Sequence, residues 1–463
     1  MTLHRITSLY GLAVLATVLL LLWFFSVERE NFNVLAGLYL VLFMTLFLVH
    51  KTARLIDKRE VNAFTSKSNK IFMFSPGLWM VLVAGFICRF VILFEVPNLS
   101  QDFFRFIWDG HQLLNGFNPY LYLPDDIIHN GATHIPNARI LYDNMGALSS
   151  GHYTNYPPLN QVFFTASSYL GSDSIIHTIA FMRLFIILAD LGIFLIGIRL
   201  LALLELPLYH IAYYFLNPFV IVELTGNLHW EGVMAFFLIT AIYLLFRERK
   251  VQSAIALSSS ILMKLMPVIA LPLIFKKLGA SKFVLYGIIV TSMTVAAFAP
   301  FITPDLIEKY GATVGLWFGK FEFNASIYYL IRWLGFEAVG YNVIGTVGRI
   351  LPVVSLLLIM WISIARKNSN PQAFINSLLA AFFIFYLLST TVHPWYLTIP
   401  LLLSVFTRYR YMLLWSLLVF LSYHAYSKEM FEENLILITI EYAAVILFAI
   451  YEFFFYPKKV ALR

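Results

Sequence analysis

The sequence predicts an all-α polytopic membrane protein, and three observations predict it. The chain is 60% hydrophobic and 12% charged, with a mean hydropathy of +0.80. Apolar runs recur at lengths near the roughly 20 residues that a bilayer-spanning helix needs. Basic residues concentrate in short segments between alternate runs, as cytoplasmic loops do under the positive-inside rule. The expectation is a helix bundle of about 11–13 membrane helices with one long first extracytoplasmic loop carrying interfacial helices. All of residues 1–463 is read as a single membrane domain.

The basic segments fix the path. Lys51, Arg54, Lys58, Arg59, Lys67 and Lys70 form the first, and Arg247, Arg249 and Lys250 the second. Lys276, Lys277 and Lys282 follow, then Arg366 and Lys367, Arg408 and Arg410, and the tail Lys458, Lys459 and Arg463. With these inside, spans near 8–25, 33–50 and 71–96 leave the loop 97–176 outside. The first span is read as a retained anchor, because further spans follow it. The apolar segment 157–170 is short for a crossing and reads as an interfacial or re-entrant helix.

Spans near 177–203, 208–223 and 229–246 come next. The stretch 251–275 lies between two basic segments yet carries Lys264 and Pro267 midway, so it should enter and return as two short helices. Spans near 283–302, 341–365, 374–391, 395–407, 410–426 and 434–456 complete the set, with an outer loop over 303–323. The net charge of +7 is thereby a topology signal and gives no reason to invoke nucleic acid. The single cysteine, Cys88, excludes an intrachain disulfide.

Chemistry-bearing residues gather on the outer face. Asp102 follows an apolar span directly, so low-dielectric surroundings can raise its pKa toward that of a working general base; an acid at a helix start also complements the helix dipole. Arg105, three residues on, shares its helical face and can clamp a phosphate or pair with the acid. Trp108 and Asp109 suit stacking on and hydrogen bonding to a sugar, and Trp108 equally suits an interfacial anchor. Asn118, Tyr156, Glu223 and Asn324 stand at the membrane edges of other elements.

His229 and Glu231 stand two apart in Asn227-Leu228-His229-Trp230-Glu231, a spacing that favours substrate hydrogen bonding over a metal, which needs more ligands. Lys264, between two short apolar helices, must snorkel or meet an anion, and a lipid phosphate is the natural one. His393 opens a further span and can donate to phosphate or sugar, while Trp395 and Tyr396 beside it also suit an aromatic belt. Arg183 and Asp190, seven apart in one span, read as a structural pair. No Gly-rich phosphate loop, Walker motif, zinc spacing or nucleophile elbow is present, so no cofactor and no metal are expected.

These motifs resemble a known family. Asp102-x-x-Arg105-x-x-Trp108-Asp109-Gly110 and Gly116-Phe117-Asn118-Pro119-Tyr120 resemble the first outer loop of GT-C superfamily glycosyltransferases. The likeness extends to polyprenyl-phosphate-mannose-dependent mannosyltransferases. It continues through Tyr156-Pro157-Pro158, Asn217-Pro218 with Glu223 and His229, Lys264-Leu265-Met266-Pro267, Phe323-Asn324-Ala325-Ser326 and His393-Pro394-Trp395-Tyr396, covering roughly 70 to 407. His229-Trp230-Glu231 departs from the family's usual His-x-Asp.

The resemblance implies a GT-C-like bundle with a catalytic loop at 97–176, a remaining bundle over 177–407 and variable helices over 408–463. It implies an inverting glycosyltransferase that moves a sugar, mannose, from a polyprenyl-phosphate donor to an acceptor hydroxyl at the extracytoplasmic face. Asp102 would deprotonate the acceptor, with Lys264, Arg105 and His393 at the donor phosphate. The expected partners are that donor, a glycan, lipid or protein acceptor, and membrane lipids, with a bacterial inner membrane as the location. A lipid-linked sugar flippase or transporter is the alternative, although the polar groups sit at one rim and no inverted repeat is seen.

Overall fold

The computed structural model describes residues 2–64, 75–131, 134–427 and 430–455. Lys67, Lys70, the start of the predicted 71–96 span, Lys458, Lys459 and Arg463 lie outside the described residues. The described residues are predominantly helical, and the only strand-like pairing among them is an isolated bridge between Phe323 and Thr391.

The N-terminal helices are α1 (Thr2–Ser26), α2 (Phe32–Phe64) and α3 (Pro76–Phe90). The region expected to form the outer loop holds α4 (Asp102–Leu114), α5 (Pro124–His129), α6 (Ala138–Met145), α7 (Ala147–Ser150) and α8 (Pro158–Gly171), and α9 (Ile175–Leu203) leads out of it. Next come α10 (Ala212–Phe215), α11 (Glu231–Phe246), α12 (Lys250–Met263), α13 (Ala270–Leu278) and α14 (Ala280–Phe298). The remainder is α15 (Leu306–Gly319), α16 (Ile327–Val339), α17 (Ile344–Ala365), α18 (Pro371–Leu387), α19 (Thr398–Val405), α20 (Tyr411–Leu418) and α21 (Leu435–Ile450).

Among the described residues, five helices are long and apolar enough to cross a membrane: Phe32–Leu55, Ile175–Leu203, Ala280–Phe301, Ile344–Ala365 and Leu435–Phe455. A sixth forms if Val220–Gly226 and Glu231–Phe246, bent by 110° at their junction, count as one broken span. The protein is therefore an all-α polytopic membrane protein. Several expected spans are instead shorter apolar helices, including Pro76–Phe90, Pro371–Leu387 and Pro394–Val405.

Three local readings change. The basic segment after the second span is not a loop, because Lys51, Arg54, Lys58 and Arg59 ride on the helical extension of α2. The expected 208–223 span breaks into a 3-10 turn at Leu208–Ile211, α10, and a π-helical turn over Val220–Gly226. Asn217-Pro218 lies in that break: proline removes a ladder donor, and the Asn217 Oδ1 accepts the Phe219 N–H instead. The presumed outer loop 303–323 is largely α15.

The expected Arg183–Asp190 pair does not form. Asp190 pairs with Arg89 of α3, Nε to Oδ2 2.7 Å, both side chains fully buried. Arg183 donates to the carbonyls of Ile92, Leu93, Thr225 and Gly226, cementing α9 to two chain breaks. Exposed carbonyls at a broken helix need donors in a medium that supplies none, so a guanidinium there is structural.

Helix α4 lies across α8 and α9 at close range. A Cβ on Gly110 would stand 2.6 Å from the Phe164 carbonyl oxygen and 2.4 Å from Ser168 Oγ, so only glycine permits this approach. The aromatic residues of α4 fill the seam, with Phe106 stacked on Phe164 at 4.6 Å between ring centroids. Packing α4 this way fixes where its first residue, Asp102, points.

Candidate active site

A pocket of about 1020 Å³ opens at the N-terminal end of α4. Its wall combines Asp102, Arg105 and Tyr156 from the outer region, Lys264 from the α12–α13 break, and His393, Trp395 and Tyr396 from the turn before α19. Arg29, from the α1–α2 connection, and Tyr423 and Tyr426, beyond α20, complete it.

Asp102 is the first residue of α4 but caps nothing with its side chain; its own N–H is accepted by Ser100 Oγ at 3.3 Å. The carboxylate is therefore free to face the pocket, and 36% of its side chain is exposed there. That exposure is to the pocket rather than to open solvent. The surrounding protein mass pushes its pKa up to about 6, with Lys264 and Arg29 pulling down and Glu231 pushing further up.

Lys264 ends α12 in extended backbone (φ −160°, ψ 142°), with Pro267 preventing helix continuation. Its Nζ lies 2.5 Å from Glu231 Oε1 and 4.5 Å from the centre of the Tyr396 ring. Glu231 and Tyr396 thus aim the ammonium into the pocket. The predicted pair of short helices meeting at Lys264 is present.

A column of rings forms one side. Phe323 stacks on His393 (4.9 Å), His393 on Trp395 (4.6 Å, interplanar 2°) and Trp395 on His229 (3.7 Å). Backbone bonds Phe323 N–H to Thr390 O and Val392 N–H to Phe323 O join the two loops that supply it. His229 Nε2 then lies 4.0 Å from Asp102 Oδ2.

The structure moves other predicted residues away from the pocket. Trp108 is fully buried in the core, so it neither stacks on a sugar nor sits at an interface. Asp109 is fully buried and holds Arg105, Nε to Oδ1 2.7 Å, and accepts from Gln161. Arg105 accordingly pairs with Asp109 rather than Asp102, and its Nη1 donates to the Ser149 and His152 carbonyls. It lines the pocket while fixing the α7 loop.

Asn118 donates to the Phe301 carbonyl, and Asn324 binds Glu433 and Glu441 near α21; neither lines the pocket. Glu223 stands behind His229, held by Tyr423 and Asn227. A helical wheel assigns faces but not depth, which is why Trp108 and Asp109 were misplaced by sequence reasoning.

Sequence reasoning also missed Arg29, His152, Phe321, Phe323, Tyr423 and Tyr426 on the pocket wall. Arg29 had one signal, since it is a lone cation in a short connection read as outer; it lies 3.8 Å over the Tyr426 ring. The tyrosines had none, because they belong to the segment considered variable.

A second, largely apolar groove of about 930 Å³ shares Asn155, Lys264 and Tyr396 with the pocket. It runs past Val314 of α15, Leu351 and Pro352 of α17, Phe385 of α18 and Leu388 just after it. Lys264 therefore stands where an apolar channel meets a polar chamber holding a carboxylate. No group of three or more His, Cys, Asp or Glu side chains suited to a metal ion occurs among the described residues.

In comparison with protein families, the model for alpha-(1->6)-mannopyranosyltransferase, N-terminal domain, fits residues 15–278, more than half of the chain. Asp102, Arg105, Tyr156, His229 and Lys264 lie inside the match, and the His393–Tyr396 wall lies beyond it. No curated protein matches the chain.

Proposed function

The chain belongs to the alpha-(1->6)-mannopyranosyltransferase family and is a membrane glycosyltransferase that transfers mannose; from that premise we propose that its donor is a polyprenyl-phosphate mannose. The observation that carries this reading is the position of Lys264 at the junction of the apolar groove and the polar pocket. An isoprenoid chain fits a groove walled by α15, α17 and α18. Its phosphate then meets Lys264, with His393 and the Nη2 of Arg105, which has no hydrogen-bond partner among the described residues, on the same wall. The sugar extends toward Asp102.

The step is a single inverting displacement. Asp102 takes the proton of an acceptor hydroxyl, the acceptor oxygen bonds to C1 of the mannose, and the C1–O bond to phosphate breaks. The electron pair leaves with the lipid phosphate, whose growing charge is stabilised by the Lys264 ammonium. An α-linked product formed with inversion requires a β-linked donor. The family name points to a 6-hydroxyl of mannose as acceptor, and the tyrosine side chains of the pocket suit a sugar ring. The positive-inside pattern supports placing this chemistry on the extracytoplasmic side.

The test is transfer from radiolabelled polyprenyl-phosphate mannose to a mannoside acceptor by the purified protein in detergent or liposomes. Label should appear in an α-1,6-linked product. Label that crosses the liposome membrane without any product would replace this reading with lipid-linked sugar transport. Transfer from a nucleotide sugar alone would overturn the donor assignment.

A further inference from the structure

His229 is buried, and two contacts hold its ring. Its Nδ1 lies 2.9 Å from the Glu223 main-chain carbonyl, which can only accept, so the Nδ1 carries the proton. Trp395 stacks on its face at 3.7 Å and prevents ring rotation. The carbonyl belongs to the π-helical turn Val220–Gly226, whose Glu223 carboxylate is held by Tyr423 Oη at 2.8 Å and Asn227 Nδ2 at 3.4 Å. Asn227 Oδ1 also accepts the Leu99 N–H, tying this turn to the segment that enters α4.

With Nδ1 protonated, Nε2 of a neutral imidazole carries a lone pair. That atom is buried, has no hydrogen-bond partner among the described residues, and faces Asp102 Oδ2 at 4.0 Å. A lone pair facing an ionised carboxylate gains nothing and mildly repels it. Once Asp102 holds a proton, the same lone pair becomes an acceptor for it. The interaction is thus absent in the ground state and made as the proton arrives, the condition under which a contact lowers a barrier.

We propose that His229 is a positioning residue for the base: a fixed hydrogen-bond acceptor that strengthens Asp102 as a proton acceptor and holds the product-state Asp102 proton at Oδ2. No second proton moves; the acceptor proton ends on Asp102, whose carboxyl closes the 4.0 Å gap to hydrogen-bond with Nε2, and it later leaves through the pocket. The proposal rests on Asp102 being the base of the transfer. It also gives the Glu223-x-x-x-Asn227-x-His229 run a purpose, since the run fixes the tautomer and the position of the ring that faces Asp102.

The other charged groups around this contact are Lys264 and Glu231 from the α11–α13 region, Arg29 from the α1–α2 connection, and Glu223 and His393 beside the ring. A fixed acceptor and a charged imidazolium predict opposite outcomes when the ring is removed. Loss of a lone pair lets Asp102 ionise more easily and moves its titration to lower pH, whereas loss of a cation moves it higher.

The experiment compares wild type with His229→Asn, which keeps a donor near Nδ1 but withdraws the atom facing Asp102, and with His229→Gln, which can return an acceptor oxygen near Nε2. Carbodiimide labelling of Asp102, followed by mass spectrometry across pH, reads the carboxyl titration without turnover. Steady-state transfer from polyprenyl-phosphate mannose reads catalysis. In His229→Asn the labelling midpoint and the acid limb of kcat should shift to lower pH, and kcat should fall about tenfold with donor KM unchanged. His229→Gln should recover part of both.

An unmoved or raised Asp102 midpoint in a His229→Asn protein of wild-type monodispersity would overturn the proposal. If His229→Asn fails to fold, an unmoved midpoint in His229→Phe, which retains the stacked ring, does the same. Absence of transfer by the wild type from this donor would instead count against the function proposed above, while the labelling arm still tests His229.

Discussion

Lys264 Nζ contacts Glu231 Oε1 at 2.5 Å, joining the break after α12 to the first turn of α11. The carboxylate orients the ammonium, and an arriving phosphate adds a second anion to the same cation. Lys264→Ala should therefore raise the donor KM by roughly 10- to 100-fold, the range for a lost charge-assisted hydrogen bond, with the unpaired Glu231 adding repulsion. Donor titration at saturating acceptor measures this. Unchanged donor affinity would remove Lys264 from the phosphate site.

Asp102→Asn is isosteric and retains the hydrogen-bonding surface of the pocket, but it cannot accept a proton. Transfer should fall by about 10²- to 10⁴-fold, with donor binding retained. Single-turnover assays with labelled donor check the chemical step directly. Retained turnover would mean another group is the base.

The pH dependence follows from the direction of the Asp102 shift. Burial raises its pKa to about 6, and only the ionised form can take a proton. Activity should therefore rise with pH through that region and level off above it. An acid limb near pH 4 would show that the pocket is more solvated than its walls suggest.

Arg89 and Asp190 are both fully exposed to protein and not at all to solvent. Removing one partner strands a buried charge, so Asp190→Ala should cost about 3–5 kcal/mol, whereas replacing both with apolar residues should cost less. Thermal unfolding in detergent measures the difference. A double-variant loss equal to the sum of the two single losses would mean the pair is not coupled.

Gly110→Ala would drive a methyl into the Phe164 carbonyl, where backbone cannot swing aside. The expected loss is about 1–3 kcal/mol of stability. Activity should drop as well, because α4 can relieve the clash only by moving Asp102. Crosslinking or activity indistinguishable from wild type would show that α4 and α8 can separate at no cost.

The sequence by itself determined the membrane class, the concentration of chemistry in the region after the third apolar run, and the break that frees Lys264. Each is a local property: hydropathy sums over one helix, and Pro267 ends a helix by its own ring. Asp102 was legible for the same reason, as an acid at the foot of an apolar run. Which residues of α4 face the pocket was not, because Asp102, Arg105 and Asp109 share one helical face and only packing against α8 and the α7 loop buries Asp109.

Tertiary structure alone decided that Asp190 answers to Arg89 rather than Arg183, that Tyr423 and Tyr426 reach the pocket, and that His229 faces Asp102. These contacts join residues more than a hundred positions apart. They depend on how bent helices cross, and no periodicity in one segment records the position of another.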